Sequence, residues 1–306
     1  RERMLAVGIT HYQRVDGSDR ILIPINGNIY VQDSASAPLR LVVDTAGKAP
    51  ALTPKLTEDG QWIAYVQDAE LYVVPAEGGE PQQLTNSARG TGKTNGLADY
   101  IAQEELGRGD GFWWSDNTEF IAFTEVDETH IPEYRIVHQG KDETGDGAQE
   151  DHHYPFAGAE NPLVRLALVP RSGGDPIWMD TDLGEETYIS QVFWWQDGSP
   201  GAELLNRAQN RMWLVRFDIE TGERTTTLED SNPYWINKRS KARRLLANGD
   251  VLLTSERDGY NHIYLHGRDG KPKQQLSSGG WMVDTIAGVD EDRGIIYFTG
   301  NRENPT

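Results

Sequence analysis

Short apolar runs separated by turn residues dominate the hydrophobic pattern. Ile21-Leu22-Ile23-Pro24-Ile25 is followed by Asn26-Gly27-Asn28 and then by Ile29-Tyr30-Val31. Asn-Gly between two apolar runs is the strongest short hairpin signal a sequence offers. Leu39-Arg40-Leu41-Val42-Val43 supplies a further strand. The pattern restarts at Glu58-Asp59-Gly60 with the run Trp62–Val66 and continues through Glu70-Leu71-Tyr72-Val73-Val74. A Glu77-Gly78-Gly79-Glu80 turn and a closing Gln82-Gln83-Leu84-Thr85 complete the unit. Further copies start at Ser115-Asp116, Asp197-Gly198 and Ala247-Asn248-Gly249, and a last one opens at Gly294-Ile295-Ile296-Tyr297-Phe298. The unbroken copies recur at about 40–50 residues, the spacing of four-stranded propeller blades. The prediction is an all-β chain, a β-propeller of roughly six blades over residues 1–306, with the last blade interrupted.

Two segments depart from the repeat. Residues 86–111 lie between the second and third units, and residues 127–161 lengthen the third. Within the first, Leu97, Ile101 and Glu105 fall on one helical line and Asp99 is a candidate N-cap. A short helix near Asp99–Leu106 is therefore expected. The second, rich in Glu, Asp, Gly and His, is read as a long strand pair or loop extending the rim. Insertions into a repeat architecture mark a functional face, because the repeating strands are occupied with packing.

Composition narrows the function. Nine Trp, twelve Tyr and 32 Gly favour strands joined by tight turns, and 37% hydrophobic residues suffice for a sizeable core. The net charge of −19 disfavours nucleic acid and anionic membrane surfaces and attracts a cationic group such as a peptide amino terminus. The same acidity also serves plain solubility. There is no cysteine, which excludes disulfides, thiolate metal sites and a cysteine nucleophile. No apolar run approaches membrane-span length. The ends, Arg1-Glu2-Arg3-Met4 without a signal-peptide shape and Asn304-Pro305-Thr306 just after a strand-like run, read as those of a trimmed or interrupted chain.

The candidate chemistry centres on Glu104-Glu105. Adjacent like charges repel, so the pair is comfortable only in water or beside a cation. A primary ammonium has three donors, and two carboxylates from one turn suit it. Two ordinary surface acids would look the same. The Asp142–Gly147 run lacks the ligand spacing of an EF-hand and reads as an acidic loop. His152 and His153 alternate faces on a strand and do not easily share one ion. Trp113-Trp114 and Trp194-Trp195, ahead of polar turns where repeat units begin, read as packing between blades, and His262 and His266 as structural, hydrogen-bonded histidines. No Gly-x-Ser-x-Gly occurs, and glycosidase-type carboxylate pairs are left open by sequence spacing alone.

Four segments carry a family resemblance. They are Tyr100-Ile101-Ala102-Gln103-Glu104-Glu105-Leu106, Gly111-Phe112-Trp113-Trp114-Ser115, His153-Tyr154-Pro155-Phe156-Ala157-Gly158-Ala159-Glu160-Asn161-Pro162, and Glu256-Arg257-Asp258-Gly259-Tyr260-Asn261-His262-Ile263-Tyr264. In this order they resemble the N-terminal β-propeller domain of the dipeptidyl peptidase IV family of prolyl-oligopeptidase-type serine peptidases.

The resemblance implies an eight-bladed propeller capping an α/β-hydrolase domain that is absent here, so this chain alone should be inactive. It implies that Glu104 and Glu105 bind the ammonium of a peptide with a free N-terminus, within a substrate-recognition segment 86–111. The Ser-Asp-His triad of the other domain would cut after the second residue, with a preference for proline or alanine there. No cofactor or metal is implied. A homodimer and a periplasmic or secreted location are further expectations. The chain departs from the family at Gln103, where many members carry a third glutamate, and in the glycine-rich Leu106-Gly107-Arg108-Gly109-Asp110. Neither Arg14 nor Arg20 matches the family's substrate-contacting arginine. A non-catalytic propeller that binds protein or peptide partners is the alternative from a different class, and an exopeptidase trimming tripeptides or acylated residues is the alternative within the enzymes.

Overall fold

The structure, a computed structural model, describes residue 9 and residues 11–138, 148–237 and 243–302. The acidic run Asp142–Gly147 and both chain ends lie outside the described residues. Two compact units are formed, Arg1–Gln103 with Gly109–Pro176, and Glu104–Arg108 with Ile177–Thr306.

In the first unit, Gln13–Arg14, Ile21–Ile25, Asn28–Gln32 and Leu39–Val43 form one four-stranded sheet in chain order. Leu52–Leu56, Trp62–Gln67, Glu70–Pro75 and Gln82–Gln83 form a second. Val15, Leu22, Ile29, Val31 and Val43 of the first sheet and its turns pack with Leu56, Ile63, Tyr65 and Val74 of the second in one core cluster. In a third sheet, Phe120–Asp127 pairs with Phe112–Trp114 on one side and Leu163–Pro170 on the other, and Lys93–Asn95 adds to its far end. The second unit repeats the plan with Thr187–Trp194, Pro200–Asn206, Arg211–Phe217 and Arg224–Ser231, and again with Arg243–Leu245, Val251–Ser255, His262–His266 and Pro272–Gln275. Val283–Asp290 pairs with Ile295–Gly300 beyond them. Antiparallel meanders packed face to face through apolar side chains are the blade pattern of a β-propeller, and the chain has that all-β fold.

The phase of the repeat differs from the expectation. The polar turns read as opening copies, Glu58-Asp59-Gly60, Asp116-Asn117, Asp197-Gly198 and Asn248-Gly249, each join the first and second strands of a sheet. The sequence pattern therefore starts one strand late. One cause is that first strands such as Leu-Thr-Pro-Lys-Leu at 52–56 mix polar and apolar residues and lack a contiguous apolar run. Trp113-Trp114 and Trp194 accordingly close first strands and do not begin units.

The closing motif has a definite task. In the second sheet Leu84 N–H donates to the Leu71 carbonyl at 2.8 Å, and Leu71 N–H donates to Thr85 Oγ1 at 2.9 Å. The later copy repeats both bonds, Leu276 N–H to the Ile263 carbonyl at 2.8 Å and Ile263 N–H to Ser277 Oγ at 3.0 Å. A hydroxyl thus finishes the backbone pairing where the last strand leaves its neighbour, which keeps a buried N–H satisfied. That explains why the repeat ends in Leu followed by Thr or Ser.

His262 meets the expectation of a satisfied structural histidine, with Nδ1 3.1 Å from Ser277 Oγ and Nε2 3.0 Å from the Gly279 carbonyl. His266 meets it only in part. Its Nδ1 lies 3.0 Å from the Gly270 carbonyl, but Nε2 is buried without a hydrogen-bond partner among the described residues. Residues 127–161 contain a two-stranded ladder, Glu133–Val137 against Gln149–His153.

Candidate functional site

The helix is real but shorter than its sequence pattern suggests, spanning Tyr100–Glu104. Asp99 caps it, its Oδ2 accepting the Ala102 N–H at 3.1 Å. Gln103 folds back, Nε2 donating to the Ala98 carbonyl at 2.7 Å. Leu97 is not on the helical line, and instead bridges to Asp110. Glu105 falls in the turn after the helix, and Gly107 follows with φ 64°, a left-handed value that ends helices at low cost for glycine. A helix of five residues has no stability of its own. Its place is set by contacts at its two ends.

In the first unit, Tyr100 packs against Tyr154, ring centroids 5.0 Å apart and hydroxyls 3.3 Å apart, and Tyr154 in turn meets Tyr134 and Phe156. Past the pair, Lys55 Nζ lies 2.7 Å from Asp110 Oδ1 and donates to the Phe112 carbonyl at 2.7 Å. Burial holds the Lys55 ammonium below its usual pKa, with Asp110 opposing that shift.

In the second unit, Leu106 enters the core cluster of Trp195, Leu205, Met212, Leu214 and Leu253. Arg108 is also buried and donates from Nε to the Ile189 carbonyl at 3.0 Å. Exposure thus alternates along the turn, with Glu104, Glu105 and Gly107 exposed and Leu106 and Arg108 buried. The arrangement presents two neighbouring carboxylates to solvent from a backbone whose next residues are fixed. Chemically, two neighbouring exposed carboxylates suit a cation with several donors.

Other candidates separate. His152 Nε2 contacts Glu150 Oε2 at 3.1 Å while His153 Nδ1 meets the Ile131 carbonyl at 2.6 Å, so the two rings serve different partners. Among the described residues no group of three or more metal-ligating side chains exists. Arg20 is a structural pin, its Nε 2.8 Å from Asp33 Oδ1 and its Nη1 donating to the Gly60 carbonyl at 2.6 Å, with Glu77 as a further partner. Trp195, 2% exposed, donates to the Val215 carbonyl at 3.2 Å, stacks edge-on with Phe193 and lies under the Arg216 guanidinium, the packing role expected of it. The sequence reading missed Leu106 and Arg108 as anchors. The alternation of apolar or basic with exposed residues over 104–108 was the available signal, and it is too short to stand out.

The chain is thus an all-β propeller domain with two exposed carboxylates, Glu104 and Glu105, at the end of a short capped helix. The chain belongs to the dipeptidyl peptidase IV (DPP IV) N-terminal region family, whose model matches residues 12–306. It is 29% identical over 260 residues to the dipeptidyl peptidase 4 of Trichophyton tonsurans, covering 80% of this chain and 33% of that protein. Identity is 29% over 257 residues, with the same coverage, to the dipeptidyl peptidase 4 of Trichophyton rubrum. The crystal structure of Porphyromonas gingivalis dipeptidyl peptidase 4 superposes with a TM-score of 0.83 at 24% identity, over 99% of this chain and 44% of that one. The chain spans about a third of the length of the curated relatives it matches. Among the described residues no helix is long and apolar enough to cross a membrane.

Proposed function

We propose that this chain is the substrate-recognition and gating propeller of a dipeptidyl peptidase IV-like serine exopeptidase that releases dipeptides from peptides with a free N-terminus. Glu104 and Glu105 bind the substrate ammonium, residues 86–111 form the recognition segment, and residues 127–161 extend the rim. Cleavage belongs to a hydrolase domain of the complete protein. The observation that carries this reading is the exposed Glu104-Glu105 pair at the end of a capped helix, with Leu106 and Arg108 buried immediately after it. Family membership and the net charge of −19 support it.

The physical logic is a ruler. An ammonium held by two carboxylates places the second peptide bond at a set distance from the clamp, so orientation is supplied before chemistry begins. Each charge-assisted hydrogen bond contributes roughly 1.5–3 kcal/mol. Glu104→Ala and Glu105→Ala in the complete protein should therefore each lower kcat/KM for a dipeptidyl substrate about ten- to hundred-fold. Near-normal turnover by both variants would overturn the assignment.

A further inference from the structure

The carboxylate pair is only as well placed as the turn that follows it, and that turn is held by a buried polar assembly remote in sequence. Between Glu104 and Arg108 lie Glu105, Leu106, which packs in the apolar cluster, and Gly107 with its left-handed φ. Apolar packing fixes depth but is not directional. Direction comes from Arg108, 6% exposed, whose Nε donates to the Ile189 carbonyl at 3.0 Å.

Ile189 sits at a bulge. Ile189 pairs with Leu204 and Gln191 with Glu203, which leaves Ser190 as the extra residue. Bulges bend a strand and re-aim its groups. This one is secured from behind. The fully buried Ser190 donates Oγ to Glu203 Oε1 at 2.6 Å, and Arg243 Nη1 donates to Glu203 Oε2 at 2.9 Å. Arg243 Nη2 reaches Gln191 Oε1 at 3.1 Å, and its guanidinium lies 4.0 Å from the Phe193 ring centroid. The Glu203 and Arg243 side chains are 12% and 11% exposed. Desolvating such a pair is costly, which limits its net contribution to stability, while its hydrogen bonds fix the direction of the groups around the bulge.

Resting on the amino-terminus clamp reading, we propose that Arg108 is a positioning residue for Glu104 and Glu105, and that the Glu203–Arg243 pair sets Arg108 through the Ser190 bulge. The assembly holds the orientation of the turn so that both carboxylates converge on one ammonium. It does not touch substrate.

The test uses the complete protein, with rates normalised to active serine by titration with a serine-directed phosphonate. The readout is the ratio of kcat/KM for a dipeptidyl amide to that for its des-amino counterpart, which lacks the ammonium. Arg108→Gln should lower this ratio about ten-fold or more, chiefly through KM, and Arg108→Lys should recover part of it. Ser190→Ala, a milder change that leaves Arg108 in place, should lower the ratio roughly three-fold or more, and it decides the matter if Arg108→Gln is unfolded. A reduced active fraction with an unchanged ratio in Ser190→Ala and in any folded Arg108 variant would show a merely structural role and overturn the inference. If Glu104→Ala and Glu105→Ala collapse the ratio while these variants do not, this inference alone fails. If the glutamate variants also leave it unchanged, the clamp itself fails.

Discussion

Asp99 Oδ2 accepts the backbone N–H of Ala102 at 3.1 Å, while the Asp99 carbonyl accepts the N–H of Gln103 at 3.1 Å. One residue thus starts the helix from which Glu104 projects. Ala102 is 1% exposed, so its N–H has no water to replace the cap. Asp99→Ala should cost about 0.5–2 kcal/mol of stability and raise KM for dipeptidyl substrates. Asp99→Asn and Asp99→Ser, which keep the acceptor, should restore both. Thermal unfolding and steady-state kinetics on the complete protein check this, and equal losses in all three variants would contradict the capping role.

Gly111 stands where two backbone segments cross. A Cβ added there would lie 2.3 Å from the Leu97 carbonyl carbon and 2.4 Å from the Gly96 carbonyl carbon and oxygen. Backbone atoms cannot rotate away as a side chain can. Gly111→Ala should destabilise the domain by roughly 1–3 kcal/mol or more. Gly109→Ala, whose Cβ would meet nothing within 4 Å, serves as the near-neutral comparison. Denaturant midpoints of the two variants make the measurement.

Glu70 is fully buried, and its carboxylate accepts four bonds, from Thr85 Oγ1 at 2.6 Å, Asn95 Nδ2 at 3.0 Å, Ala88 N at 2.7 Å and Arg89 N at 2.9 Å. Burial pushes its pKa up, but these donors outweigh burial and leave it lowered. Glu70→Ala strands four donors and should cost about 3 kcal/mol or more. Glu70→Gln, which turns an amide NH2 toward donors, should recover only part. Hydrogen exchange at Ala88 and Arg89 should accelerate in both variants, and unchanged protection there would count against the account.

Acid should weaken the fold through Asp197. Burial raises its pKa, but bonds from Ser199 Oγ at 2.6 Å and Ser199 N at 3.1 Å, with Arg216 Nη1 at 2.5 Å, bring it from an ordinary 3.8 to about 2. A carboxylate with a depressed folded pKa contributes stability above its unfolded value and loses it as pH falls through the folded one. The loss therefore runs from about pH 4 to about pH 2. Melting temperatures of the wild type should fall more steeply over that window than those of Asp197→Asn. Parallel curves would assign acid sensitivity to other groups, such as Asp127, which is also lowered to about 2 by Thr129 and Lys93.

The sequence by itself determined the fold class and the identity of the candidate pair. Apolar runs such as Ile63–Val66 and Leu71–Val74, broken by Gly turns, leave few alternatives to antiparallel meanders, because each run is local and its hairpin partner is its neighbour. Asp99 as a cap was legible for the same reason, since capping spans only three residues. Where a blade begins was not legible, because first strands such as Leu52–Leu56 gain their burial from adjacent sheets and not from their own pattern.

The anchors of the turn were hidden for a related reason. Arg108 meets Ile189, 81 residues on, and Ser190 and Arg243 meet Glu203 from 13 and 40 residues away. Nothing in a short window marks one arginine as buried and directional. Only the tertiary structure decided that Leu106 and Arg108 would be inside and Glu104 and Glu105 outside. Burial depends on which distant strands close over a segment, and a five-residue helix has too little energy of its own to choose.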